Sequence, residues 1–198
     1  MDVVLIIAGV MLVIAAALTL VRIVRGPGPA VARGVLAGTW HGRHGDPDMP
    51  APPPGVTAAE PGDAMPPVQL PGLDGTPVDL VALAAGRPLL INVWASWCGP
   101  CIEEMPELDR FAREQGQTGV QVLGIALDDA EAVRAFLERI PVDYAIALDA
   151  PGPADAGVRL GNPRGVLPYT VLLSPDGRLL KQRIGPFAHG EIDGWVAP

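Results

Sequence analysis

The chain has 198 residues, enough for one domain of ordinary size and an appendage. Apolar residues make up 49% and the formal net charge is −8. Residues 1–59 hold four Arg against three Asp, and residues 60–198 ten basic against nineteen acidic groups. There is no basic run, so the clustered cations that nucleic-acid binding needs are missing, and no nucleic-acid partner is expected.

In chain order, the first element is "VVLIIAGVMLVIAAALTLV", residues 3–21, which carries no charge. At ~1.5 Å per residue it reaches roughly 28 Å, about one hydrocarbon core. Residues 1–25 are therefore expected to form a transmembrane anchor. A cleaved signal peptide is the alternative, but the "MD" start lacks a basic n-region and the nearest small-residue site, "AVA" at 30–32, is far downstream. Residues 26–62 follow with eight Gly and eight Pro, a composition expected of a linker. Stretched out it would span ~110 Å.

From residue 63 to 198 the pattern is that of a folded domain. "PVQL" and "TPVDL" flank "PGLDG" and read as a hairpin. "PLLINVWA" (88–95) is a short apolar run, expected to be a strand buried on both faces. "CIEEMPELDRFAREQG" reads as a helix with a kink at Pro106. "VQVLGIAL" is a second buried strand. "DDAEAVRAFLERI" reads as a helix capped by Asp128 with Glu131 three residues on, its apolar face formed by Val133, Phe136, Leu137 and Ile140. "YAIAL" and "ADAGVRLG" suggest a short strand and helix, "YTVLL" and "RLLKQRI" a hairpin about "SPDG", and "HGEIDGWV" a closing helix. Strands alternating with helices and then a hairpin predict an α/β fold with a central mixed sheet flanked by helices.

The only two cysteines are Cys98 and Cys101, separated by Gly99 and Pro100. A buried strand leads into Cys98 and a helix starts there, where unpaired N–H groups and the macrodipole favour a thiolate. Cys101 lies three residues on, within reach of a disulfide. Pro100 lacks an N–H where none is needed. The expected chemistry is attack by Cys98 on a disulfide and resolution by Cys101. Other readings fit these residues less well. A structural disulfide over so short a loop removes little chain entropy. Half of a zinc site needs two more ligands, from His41 and His44 in "HGRH" or from His189. A peroxide-reducing cysteine is disfavoured by Ala95, where such sites carry Thr or Ser.

"WCGPC" after a buried strand resembles the thioredoxin active-site motif. With "LPYT" and "SPDG" downstream, residues 63–198 resemble membrane-anchored bacterial thioredoxin-like proteins of the TlpA/ResA type, related to CcmG/DsbE. "PPVQLPGLDGTPVDL" is similar to their extra N-terminal hairpin, and 129–160 to their inserted strand and helix. The resemblance implies a thiol:disulfide oxidoreductase that needs no cofactor beyond its own disulfide and no metal. It makes Cys98 the nucleophile, Cys101 the resolving thiol and Pro168 a cis-proline, with the Leu167 backbone pairing with substrate. Trp97, Gly99 and Pro100 would touch substrate too, whereas Trp94 is expected in the core. Asn92 stands where thioredoxins have a buried Asp. Glu104 matches a Glu near the cysteines and is expected to accept the Cys101 proton from an apolar setting, with Glu103 and Glu107 solvated. Tyr169 departs from CcmG/DsbE, where a Glu follows the cis-proline, so a role dedicated to cytochrome c maturation is not implied.

The implied partners are protein disulfides, for example those of apocytochrome c or copper-delivery proteins, and a membrane thiol relay as electron donor. The implied location is the cytoplasmic membrane with the domain outside the cytoplasm. Arg22, Arg25 and Arg33 after the span argue for the opposite orientation by the positive-inside rule. A disulfide-forming oxidase or isomerase, a metal-binding chaperone and an inert disulfide module are the competing functions.

Overall fold

The computed structural model describes residues 54–197. The apolar segment 3–21, the "AVA" at 30–32, most of the Pro/Gly stretch, and His41 and His44 lie outside the described residues. Among those described, no helix is long and apolar enough to cross a membrane. The last residues of the Pro/Gly stretch pack on the domain. Ala59 is buried and its N–H donates to the Arg159 carbonyl at 3.1 Å.

The first hairpin pairs β1 (Gln69–Pro71) with β2 (Pro77–Asp79), Leu70 facing Val78. Asp74 shapes its turn by accepting from the N–H and hydroxyl of Thr76, and Gly75 takes the positive φ of 86° that an L side chain resists. A short helix absent from the sequence reading, α1 (Leu80–Ala84), follows at once. Asp79 starts it, its carboxylate accepting from the N–H groups of Val81 and Ala82.

The central sheet has the order β5-β4-β3-β6-β7. Its parallel half is β3 (Leu89–Trp94), β4 (Gln121–Leu127) and β5 (Ala145–Asp149). Strands β6 (Tyr169–Leu173) and β7 (Leu179–Ile184) run antiparallel beside it. Every side chain of β3 is buried, as its unbroken apolar run requires of a central strand. Alternation then sorts the sheet into two faces. Leu89, Ile91 and Val93 join Leu123, Ile125, Val171, Leu173, the first hairpin, α1 and α4 (Ala156–Arg159). Leu90 and Trp94 join α2 (Gly99–Gln115), α3 (Ala130–Leu137) and Ile192 of α5 (Glu191–Val196). The mixed sheet covered on both faces is thus the architecture the alternation of elements predicts.

One local reading changes. Asp129, not Asp128, caps α3, accepting from the N–H groups of Glu131 and Ala132; Asp128 is occupied elsewhere, as described below. Helix α2 contains Pro106, as expected, on its exposed side. There water can serve the Ile102 carbonyl, which the missing Pro106 N–H leaves without its helical donor. On the sheet face below α2, Gly124 marks a close approach. A Cβ there would lie 2.7 Å from Ile146 Cδ1, 3.0 Å from Trp94 Nε1 and 3.1 Å from Tyr144 Cε2, so only a glycine leaves room for these three side chains.

Candidate functional site

The site forms where β3 ends. Strand β3 stops at Trp94, and a turn closed by the Cys98 N–H on the Ala95 carbonyl (3.1 Å) delivers Cys98 as the N-cap of α2. Gly99 and Pro100 form the exposed first positions of that helix, where a missing N–H on Pro100 leaves no gap in the ladder. Cys98 and Cys101 are joined in a disulfide with Cα atoms 5.3 Å apart. The two cysteines differ in access. Cys98 keeps 6% of its surface exposed and Cys101 none, so only Cys98 offers an atom to an incoming partner. Cys98 Sγ also accepts from the Cys101 N–H at 3.3 Å, a contact that favours negative charge on that sulfur once the disulfide opens.

Antiparallel pairing sets the opposite wall. Val93 faces Tyr169, so Pro168 lies one residue beyond, level with the end of β3 from which the Cys98 turn departs. The Leu167–Pro168 bond is cis. No backbone hydrogen bond outside the helices and strands engages Leu167 among the described residues. Two apolar side chains next in sequence to these elements are exposed, Trp97 (69% exposed), which precedes Cys98, and Val166 (41%), which precedes Leu167. Trp94 is in the core. Tyr169, at the position of the CcmG/DsbE Glu, is buried and donates its hydroxyl to the Leu160 carbonyl at 2.8 Å, so it carries no charge to the site.

Glu104 lies one turn along α2 from Cys101 and is 1% exposed. Asn92 Nδ2 donates to its Oε1 at 2.7 Å and to Thr170 Oγ1 at 3.1 Å. The Phe187 N–H donates to its Oε2 at 3.0 Å. Burial raises the Glu104 pKa to about 7, outweighing the two hydrogen bonds and the more distant Arg183 charge, which favour the carboxylate. A group that buried and that close to half-ionised at neutral pH can take up or release a proton beside Cys101.

Glu107 is not the solvated residue its sequence position suggests. It is buried one turn beyond Glu104 and accepts from Arg110 at 2.7 and 3.0 Å and from the Gly190 N–H at 2.7 Å, with His189 Nδ1 2.9 Å away. The Arg110 hydrogen bond, with Gly190 and His189, holds its pKa down to about 2. Glu103 is exposed as expected. The paired carboxylates Glu104 and Glu107 therefore pin the segment 187–190 onto α2. His189, one of the zinc candidates, meets Glu107 through Nδ1 here. Thr170, Phe187 and Ser96 are the parts of the site that sequence reasoning missed. Phe187 contributes a backbone N–H from 83 positions away, and no local pattern encodes that.

The redoxin family profile matches residues 60–194. The chain is 27% identical over 127 residues to the thiol-disulfide oxidoreductase ResA of Bacillus thuringiensis (strain Al Hakam), covering 63% of this chain and 69% of that protein. Among solved structures it is similar to a thioredoxin-related protein from Neisseria meningitidis serogroup B (34% identity, TM-score 0.56, 63% of this chain and 93% of that one). A thiol-disulfide oxidoreductase from Bacteroides fragilis is also similar (28% identity, TM-score 0.56, 68% and 97%).

Proposed function

The chain belongs to the redoxin family and is a thiol-disulfide oxidoreductase of thioredoxin-like fold, and we propose from this that it works as a reductant of protein disulfides outside the cytoplasm. The observation that carries the reading is a disulfide between a slightly exposed Cys98 and a fully buried Cys101, with a buried, proton-ready carboxylate one turn beyond Cys101.

In the reduced state the Cys98 thiolate attacks one sulfur of a substrate disulfide. A mixed disulfide forms and the other substrate sulfur leaves as a thiolate that takes a proton. Glu104 then accepts the Cys101 proton, and Cys101 attacks Cys98 Sγ. The second substrate thiol leaves and the Cys98–Cys101 disulfide forms again. Two electrons have passed to the substrate, and a dithiol donor must return them. An extended substrate strand would pair with the Leu167 backbone beside Pro168, in the manner of strand addition, while Trp97 covers the reacting sulfurs. Gly99-Pro100 between the cysteines is the pair of thioredoxin, whose potential of about −270 mV is strongly reducing.

The donor fitting this scheme is a membrane thiol relay, and residues 3–21 would hold the domain beside it, with the domain on the outer side. A fusion of this segment to alkaline phosphatase tests that orientation; activity confined to a cytoplasmic reporter would reverse it. For the chemistry, insulin reduction with dithiothreitol as donor should be lost in Cys98→Ser. A Cys101→Ala variant should accumulate mixed disulfides through Cys98. A Cys98→Ser protein as active as the parent would overturn the assignment.

A further inference from the structure

Beside the disulfide lies a contact that the redox cycle leaves unused. In the parallel pairing of β3 and β4, Trp94 stands opposite Ala126. Ser96 and Asp128 each lie two residues beyond that pair, so the two adjacent strand ends bring them together. Asp128 Oδ2 accepts from the Ser96 hydroxyl at 2.5 Å and from the Ser96 N–H at 3.3 Å, while its Oδ1 accepts from the Asp129 N–H at 3.0 Å. Ser96 is the second residue of the Ala95–Cys98 turn, whose last residue is the nucleophile and whose third, Trp97, points outward. A carboxylate fixed at the end of a buried strand thus grips the one turn that sets where Cys98 enters α2. Charge-assisted hydrogen bonds of this kind are short and directional, and both ends are half-buried.

We propose that Asp128 is a positioning residue for the oxidoreductase reaction. Acting through Ser96, it holds the Ala95–Cys98 turn so that Cys98 Sγ stays at the N-terminus of α2 as a stabilised, reactive thiolate. The proposal rests on Cys98 being the attacking thiol. Loss of the clasp frees the turn, weakens the N-cap geometry and lowers the thiolate fraction at neutral pH. The carboxylate acts here as an acceptor with a fixed direction; its charge alone would disfavour a nearby thiolate.

The test is the rate at which iodoacetamide modifies the reduced full-length chain across a pH series, with the modified cysteine located by peptide mass spectrometry. Modification of Cys98 at pH 7 should slow about fivefold in Ser96→Ala and in Asp128→Ala, the size expected for loss of one such hydrogen bond. The midpoint of the pH profile should move upward in both. Asp128→Asn keeps an acceptor in place and should stay within about twofold of the parent. The double variant Ser96→Ala/Asp128→Ala should be no slower than Asp128→Ala. A Ser96→Ala rate equal to the parent's overturns the proposal, as does an Asp128→Asn profile that matches Asp128→Ala. Each of these outcomes still shows Cys98 as the modified residue. Modification of Cys101 instead overturns the functional reading itself and the proposal with it.

Discussion

Glu104 gives the sharpest quantitative expectation, because its pH response has a sign opposite to that of an ordinary surface carboxylate. Its pKa in the folded protein is about 7, against 4.5 when solvated. Between these values the folded state holds a proton that the unfolded chain releases. Stability tied to Glu104 is therefore fully present below about pH 4.5 and falls as pH rises through 7. At about 1.36 kcal/mol for each pH unit between the two pKa values, the loss amounts to about 3 kcal/mol by pH 8. Glu104→Gln removes the titration. The amide can still accept from Asn92, but its NH2 group then faces the Phe187 N–H, a pH-independent penalty of about 1–3 kcal/mol. Urea denaturation of both proteins in the oxidised state, where the cysteines do not titrate, separates the two effects. The stability of the variant minus that of the parent should rise by about 3 kcal/mol between pH 4.5 and 8. A difference that stays constant over this range would falsify the view that Glu104 is held in a desolvated site. The same pKa predicts that resolution of a mixed disulfide by Cys101 speeds up as pH rises through 7 in the parent, and that this limb vanishes in Glu104→Gln.

Other consequences are independent of that titration. Glu107→Gln should destabilise the domain at pH 7 by about 1–3 kcal/mol, since it weakens charge-assisted contacts to Arg110 and Gly190. Its contribution runs the other way with pH: present above 4.5 and lost toward 2, as an acid titration followed by circular dichroism would show. Gly124→Ala should cost about 1–3 kcal/mol by pushing back Ile146, Trp94 and Tyr144, measurable by thermal denaturation; an unchanged Tm would contradict the close approach. Trp97→Ala should raise KM for protein disulfides several-fold while leaving reaction with a small disulfide such as oxidised glutathione nearly unchanged. An equal loss with both would assign Trp97 to the chemistry instead of the docking surface.

The sheet was legible because its strands are short apolar runs, such as "LLINVW" and "YTVLL", that fit no amphipathic helix. The cysteine pair was legible because a strand leading into a CxxC at a helix start is a local pattern. The short helix α1 was missed although Asp79 before "LVALA" is a capping signal; five residues carry too little periodicity to announce a helix. The cap of α3 was misplaced by one residue because two aspartates adjoin, and only the tertiary contact to Ser96 shows that Asp128 is already engaged. The burial of Glu104 and Glu107 has the same origin. Helical periodicity places both on one side of α2, but what covers them is the segment 187–190, brought in from the far end of the domain. Sequence separation hides such contacts, whereas the functional resemblance, carried by a few residues near Cys98 and Pro168, does not depend on them.

The central claim is that this dithiol gives electrons to substrates. The reduction potential of the Cys98–Cys101 pair, measured by equilibration with glutathione or dithiothreitol buffers, tests it most directly. A reductant that a donor must keep charged should have a potential of about −250 mV or lower, close to thioredoxin. A potential near −120 mV, the range of a disulfide-forming oxidant, would contradict the claim and reverse the direction of the reaction at the same two sulfurs.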